Sequence, residues 1–331
     1  MPTIAEQLAG WLPIRVQWRG ADPLLDWCYL GTRRFTEPFF DDTIGAVLQK
    51  PFNLLFRHFT GLDALAQLHA ESPGLPPTGF VFHLSRCGST LVGRMLAALE
   101  QNLVVSEASP LDWMIRAQVR RPFVTDDERL AAIQWMVGAL GQPRWPGAKH
   151  YFIKFDAWHT FDLALLERAF PTTPWIFLYR NPVEVLVSHH RQRGGGTVPG
   201  MIEHTLPGLT PQECQLIPPD EYAARVLGRI CEAALAHKDS PRALFVNYTQ
   251  LPDAMTGDIL RHFRLAYSDQ DLQRMRDAAR FNAKSPQVKF TPDADAKQHE
   301  ASENLRALSD HFMQPLYEQL EAVRLETTTR H

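Results

Sequence analysis

The chain has 331 residues, 45% of them hydrophobic and 21% charged, with a formal net charge of -3 at pH 7. Such a composition supports a sizeable buried core and excludes disorder as the default state. It also excludes a global pull toward nucleic acid or anionic lipid, so any anion site must be built locally. The length suits one large α/β domain with an appendage, or two small domains. The cysteines are Cys28, Cys87, Cys214 and Cys231, with no CxxC pair among them. A reducing compartment is the simpler setting for such thiols. The first twenty residues carry no basic stretch followed by an apolar one, and no run approaches eighteen apolar residues. These features predict a cytoplasmic protein with no membrane span.

Residues 1 to about 70 read as mixed short helices, with helical apolar spacing over 44–55 and 64–68 and bulk from Trp11, Trp18, Trp27, Phe39 and Phe40. A breaker cluster over 71–79, ESPGLPPTG, marks a boundary or surface loop. The division expected is an N-terminal extension over 1–75, packing or facing an acceptor, and a catalytic domain over 76–331. From residue 80 the pattern becomes regular. FVFHL (80–84) predicts a strand and 89–100 a helix. A strand follows at 103–105, a helix at 126–140, a strand at 151–155 and a helix at 161–170. Then come WIFLY (175–179) as a strand, a helix over 182–191, a helix over 222–237 and a last strand at 243–247. Beyond residue 253 the pattern is mainly helical, with a polar stretch at 285–300.

Nearly all-apolar strands alternating with helices predict a parallel sheet flanked by helices on both faces, with a helical C-terminus. Ligands of such sheets bind at the carboxyl ends of the strands. The residues that follow each strand are therefore the candidates for chemistry.

The first regular strand runs into Ser85, Arg86, Cys87, Gly88, Ser89, Thr90 and Leu91, where a helix begins. Small residues at a helix N-terminus direct several backbone N–H groups at one point, and the helix dipole adds partial positive charge there. Gly88 allows close backbone approach, and Ser89 and Thr90 bring hydroxyls. The nucleoside-triphosphate version of such a loop is GxxxxGK[ST]. This loop lacks the leading Gly and the Lys, and its basic residue is Arg86. A serine-capped helix with a solvated Arg86 is the plain alternative.

The strand WIFLY ends in Arg180, Asn181 and Pro182, with Ser188 seven residues after Asn181. Asn181 is a good N-cap, and Pro182 stands at N1, where its missing N–H costs nothing. Seven residues are nearly two turns, so Ser188 lies on the side of the helix facing the strand end. An Arg fork with a hydroxyl is a phosphate grip. An ordinary structural ion pair of Arg180 is the alternative.

Together these motifs resemble those of the sulfotransferases that use 3′-phosphoadenosine-5′-phosphosulfate (PAPS). The loop 85–91 resembles that family's 5′-phosphosulfate loop, and Arg180 with Ser188 resembles its 3′-phosphate motif, at the same spacing and in the same order. The stretch 244–251, LFVNYTQL, resembles a later family strand ending in Tyr-x-x-Leu. The likeness covers roughly residues 79–265 and implies a P-loop NTPase-like, sulfotransferase-type fold. It implies PAPS as donor, adenosine 3′,5′-bisphosphate (PAP) as product, no metal, and an acceptor bearing a hydroxyl: small molecule, carbohydrate, lipid or peptide. It also implies that Arg86, Cys87, Gly88, Ser89, Thr90, Arg180 and Ser188 bind the nucleotide, with Tyr248 as an adenine wall and Lys284 as a late contact to the 3′-phosphate. Cys87 departs from the usual Ser, as a small slot-filler or, less simply, as a reactive thiol at a helix N-terminus.

Sulfuryl transfer needs cations at the leaving phosphate and a base for the acceptor hydroxyl. Arg86 and Lys154, the latter at the end of YFIKF, supply the cations, unless Lys154 is a strand lysine that snorkels to solvent. In one branch of the family the base is a His in a Lys-Thr-His stretch, and here Asp156 stands at that position. In another it is a Glu past the second strand, which Glu107 matches. Glu107 is the favoured base, followed by Asp156, with His83 and His159 behind. Gly194, Gly195 and Gly196 suggest either a hinge for a loop over the acceptor or a plain connector. Competing readings are a P-loop kinase or phosphotransferase, with Asp156 as metal ligand, and a nucleotide-binding protein of the same fold without turnover. The acceptor's identity and the oligomeric state are not encoded in any of these motifs.

Overall fold

The computed structural model describes residues 2–329 apart from 21, 118–124, 203–205, 207 and 282–292. Eight strands are found among the described residues: β1 (Trp11–Arg19), β2 (Asp22–Tyr29), β3 (His58–Thr60), β4 (Pro77–His83), β5 (Asn102–Ser106), β6 (His150–Lys154), β7 (Trp175–Tyr179) and β8 (Ala243–Asn247). The last five form one sheet in the order β5-β6-β4-β7-β8. β5 pairs in parallel with β6, and β7 with β8. It is a five-stranded parallel sheet flanked by helices, with a helical C-terminus, the class that the strand–helix alternation predicts.

Every residue of β5 and of β7 is buried. That is why NLVVS and WIFLY read as continuous runs rather than alternating ones: strands covered on both faces have no polar side to show. Each large apolar side chain buried in this way contributes roughly 1.5–3 kcal/mol relative to exposure. The helices start where their caps dictate. Thr125 accepts from the Glu128 N–H at 3.2 Å while Glu128 accepts from the Thr125 N–H at 2.9 Å, a reciprocal box that opens Asp126–Leu140. Asn181 caps Pro182–Arg191 by accepting from the Glu184 N–H at 3.3 Å.

By contacts the chain forms two compact units. The first comprises Met1–Phe80, Gly93–Phe155 and Ala164–Thr173, and the second Val81–Val92, Asp156–Leu163 and Pro174–His331. Within the first unit the N-terminal region departs from the short-helix expectation. Helices occupy Phe40–Leu48, Pro51–Leu55 and Leu62–Glu71, but β1 pairs antiparallel with β2, and β2 with β3. The signal was a period of two: Ile14 and Val16 are buried, and Arg15 between them and Gln17 after them are exposed. Pro13 and a register shift between Pro13 and Arg15 interrupt that alternation and blur it.

The helix expected over 161–170 begins instead as a 3-10 turn at Ala157–Asp162 and becomes α only at Leu163–Ala169. The C-terminal helix Gln314–Thr329 fastens the ends of β7 and β8. Glu321 accepts from the Tyr179 hydroxyl, from Asn247 Nδ2 at 2.8 Å and from Arg324 Nη2 at 2.7 Å. No described helix is long and apolar enough to cross a membrane.

Candidate functional site

The loop after β4 is built from unusual backbone. Ser85 has φ 76°, Arg86 φ 52° and Gly88 φ 92°. Left-handed φ is uncommon outside glycine. Among the described residues with side chains, only Ser85, Arg86, Glu107 and Arg264 adopt it, and the first three of these lie where the sequence places the site. Strain of this kind persists where the surroundings over-determine it. Here His83 supplies part of that: its Nδ1 accepts from the Ser85 N–H at 3.0 Å, so it serves to close the turn. The helix Ser89–Ala97 follows directly. The Leu91 and Val92 N–H groups donate to the Gly88 carbonyl at 3.0 and 3.2 Å, so the helix-start donors that geometry offers an anion are those that precede Leu91.

Cys87 is buried, and its thiol donates to the Leu178 carbonyl at 3.1 Å. Burial and this hydrogen bond are what a small slot-filler would show. The Arg86 guanidinium donates through Nη2 to the Gln192 carbonyl at 2.8 Å, at the end of the Pro182–Arg191 helix.

Arg180 follows β7 and is buried. Its Nε donates to Glu184 Oε2 at 2.5 Å and its Nη2 to Asp293 Oδ1 at 2.7 Å. Asp293 is held from its other oxygen by Lys297, with Nζ 2.7 Å from Oδ2. Ser188 lies two turns along the helix, as its spacing requires, and its hydroxyl donates to the Glu184 carbonyl at 2.7 Å. Gln298 ties the same region together, donating to Asn181 Oδ1 at 3.0 Å and Glu184 Oε1 at 3.4 Å. Glu184, Asp293, Lys297 and Gln298 were not picked out from the sequence. A signal existed in the i,i+4 spacing of Arg180 with Glu184 and of Asp293 with Lys297, but such pairs are common on any helix.

The two anion motifs meet at Tyr248. The Arg180 Cζ lies 4.0 Å from the centre of the Tyr248 ring. On the loop side, a Cβ added to Gly88 would stand 2.9 Å from Tyr248 Cδ2 and 2.9 Å from Leu251 Cδ1. Gly88 is thus required twice, by its φ and by the closeness of the ring. Tyr248 thus lies against both the loop and the guanidinium. Burial pushes its phenol up, and the Arg180 charge opposes that without reversing it.

Glu107 and Lys154 come together in the first unit through strand register. Ser106 at the end of β5 pairs with Lys154 at the end of β6. The Glu107 N–H then donates to the Lys154 carbonyl at 2.7 Å. With φ 54° the chain turns at Glu107, and its carboxylate forms an ion pair with the Lys154 ammonium. Lys154 is buried rather than snorkelling, with its Nζ 5.0 Å from the centre of the Phe39 ring. An acceptor and a cation placed side by side at a strand end are the components of proton transfer with charge stabilisation.

Asp156 is buried and acts as the N-cap of the 3-10 turn, in a reciprocal box with His159. The Asp156 N–H donates to His159 Nδ1 at 3.3 Å. Both have a local structural task. Of the three glycines, Gly196 is buried, and a Cβ on it would come within 2.8 Å of Trp158 Cε3, whereas Gly194 and Gly195 are half-buried. Lys284 lies outside the described residues.

No family model matches this chain, and no curated protein does. Among solved structures it is similar to sulfotransferases. One is the sulfotransferase domain from the curacin biosynthetic pathway, with 19% identity, TM-score 0.42, 77% of this chain covered and 98% of that one. Another is sulfotransferase STF9 from Mycobacterium avium, with 12% identity, TM-score 0.43 and coverage of 74% and 81%. A third is retinol dehydratase in complex with androsterone and inactive cofactor PAP, with 15% identity, TM-score 0.32 and coverage of 81% and 86%.

Proposed function

We propose that this protein transfers a sulfuryl group from PAPS to an acceptor hydroxyl. The observation that carries the reading is that the Gly88 loop and Arg180 both lie against the Tyr248 ring. A nucleotide phosphorylated at both its 3′ and 5′ ends needs two anion sites close enough to share it. The residues fit such a ligand. Asp293 already places a carboxylate on the Arg180 fork, so the fork accepts an oxyanion.

In this reading Gly88, Ser89 and Thr90 hold the 5′ phosphosulfate, and Arg180 with Ser188 holds the 3′-phosphate. Glu107 takes the proton of the acceptor hydroxyl. The acceptor oxygen bonds to sulfur as the bond from sulfur to the bridging phosphate oxygen breaks, and that oxygen leaves with the electron pair. Arg86 and Lys154 meet the charge that grows there. Asp156 and His159 fall behind Glu107 as bases, because their polar atoms already cap a turn. The buried thiols Cys28, Cys87, Cys214 and Cys231 form no disulfide, which supports a reducing, cytoplasmic setting.

Two measurements test the reading together. PAP should raise the melting temperature and ATP should not; a ligand at 100 times its dissociation constant adds about 2.7 kcal/mol. Labelled PAPS should pass its sulfuryl group to an acceptor in the presence of EDTA. Stabilisation by ATP with loss of turnover in EDTA would instead indicate a phosphotransferase.

A further inference from the structure

The cluster around Asp293 pairs two cations, Arg180 and Lys297, with two carboxylates, Glu184 and Asp293. Two buried cations, Arg180 and Lys297, converge on one carboxylate, each on a different oxygen and each at 2.7 Å. The side chains of Arg180 and Lys297 are only 5% and 7% exposed, whereas that of Asp293 is 42% exposed. The cations are thus fixed inside and the anion stands at the solvent side. Arg180 is held independently of Asp293, through Nε on Glu184 and through the Tyr248 ring. The anion can therefore leave without releasing the guanidinium. Burying a cation is costly unless an anion meets it. Burial holds the Lys297 ammonium below the usual lysine range, with the hydrogen bond to Asp293 opposing that shift.

The geometry points to Lys297 as a further anion-binding residue: Arg180 and Lys297 form a two-cation grip that the Asp293 carboxylate fills and yields to the phosphate of an incoming nucleotide. The inference rests on the reading of Arg180 as the 3′-phosphate ligand and adds a second ligand and an internal competitor to it. A carboxylate and a phosphate share the feature that the grip selects, two oxygens of one anion facing two donors. The consequence is that affinity is set by a difference. The phosphate gains the two cations only as Asp293 loses them, so Asp293 lowers apparent affinity while keeping the cations compensated.

The test is binding of PAP and of inorganic phosphate to the full chain, by calorimetry. Lys297→Gln should weaken PAP binding about tenfold, as expected for loss of one charged hydrogen bond, and Lys297→Arg should restore most of it. Asp293→Asn should tighten both ligands by about the same factor, opposite in sign, and Asp293→Ser should do likewise if the Asn variant folds poorly. Unchanged affinity in Lys297→Gln, or no tightening in either Asp293 variant, would overturn the grip. If Asp293→Asn tightens phosphate while PAP binds no better than phosphate in any variant, the grip stands and the nucleotide reading fails. If PAP binds the wild type well and Asp293 variants do not tighten it, the nucleotide reading stands and the grip fails.

Discussion

Arg180 and Lys154 occupy equivalent positions, each a buried cation at the carboxyl end of a parallel strand, yet they are held in different ways. Lys154 is met by Glu107, which strand register alone delivers: Ser106 faces Lys154, and Glu107 is next in the chain. Arg180 is met by Glu184 one turn along its own helix, by Asp293 from 113 residues away and by the Tyr248 ring. A pair made by register leaves one acid facing one base, an arrangement suited to moving a proton. A cluster assembled from distant segments surrounds a cation on several sides, an arrangement suited to holding an anion in one orientation. The comparison therefore supports the proposal of chemistry at the first region and binding at the second.

The sharpest way to break that division is to remove one role at a time. Glu107→Gln should lower turnover by about 10²–10⁴ while leaving PAP affinity unchanged; single-turnover kinetics with a binding isotherm checks both, and retained turnover would move the base to Asp156. Arg180→Ala should do the opposite. PAP affinity should fall on the order of tenfold to a hundredfold, from the loss of charged hydrogen bonds of roughly 1.5–3 kcal/mol. Its equilibrium dialysis should be read beside Arg180→Lys, which keeps the charge but not the fork. Full affinity in both variants would make Arg180 a structural ion pair.

Smaller effects sharpen the contrast. Gly88→Ala places a Cβ 2.9 Å from both Tyr248 and Leu251 at a φ of 92°. It should cost on the order of 1–3 kcal/mol of stability and weaken PAP binding, both visible in thermal melts with and without ligand. The least effect is a pH dependence. Burial pushes the Asp293 carboxyl up, but the hydrogen bonds from Lys297 and Arg180, with their charges, outweigh this and hold it below the usual carboxylate range. A carboxyl depressed in the folded state stabilises at pH above its unfolded value, and that stability is lost as pH falls through the folded one. The melting-temperature gap between wild type and Asp293→Asn should therefore close below about pH 4. A gap constant down to acid pH would mean that Asp293 carries no charge-dependent stability.

Much of the regular core was readable because its signals are local. The helices over 126–140 and 182–191 and the strands over 175–179 and 243–247 have the expected bounds. Caps and apolar runs are properties of neighbouring residues and survive without tertiary information. The N-terminal strands were missed because Pro13 and a register shift break the alternation that identifies them. Tyr248 was picked out as a wall for adenine. What the sequence could not indicate is that the ring lies against both Gly88 and Arg180, which belong to separate segments of the chain.

The order of residues along the chain by itself determined the alternation of strands and helices, the loop of small residues after β4 and the Arg180–Ser188 spacing, because each depends on contacts within about two helical turns. It also determined that Lys154 would stand at a strand end. Only the tertiary structure decided what each buried charge faces: Glu107 for Lys154, and Glu184 with Asp293 for Arg180. The physical reason is that a buried ion must find its counterion in space, and nothing in the separation of two residues along a chain says which counterion that will be.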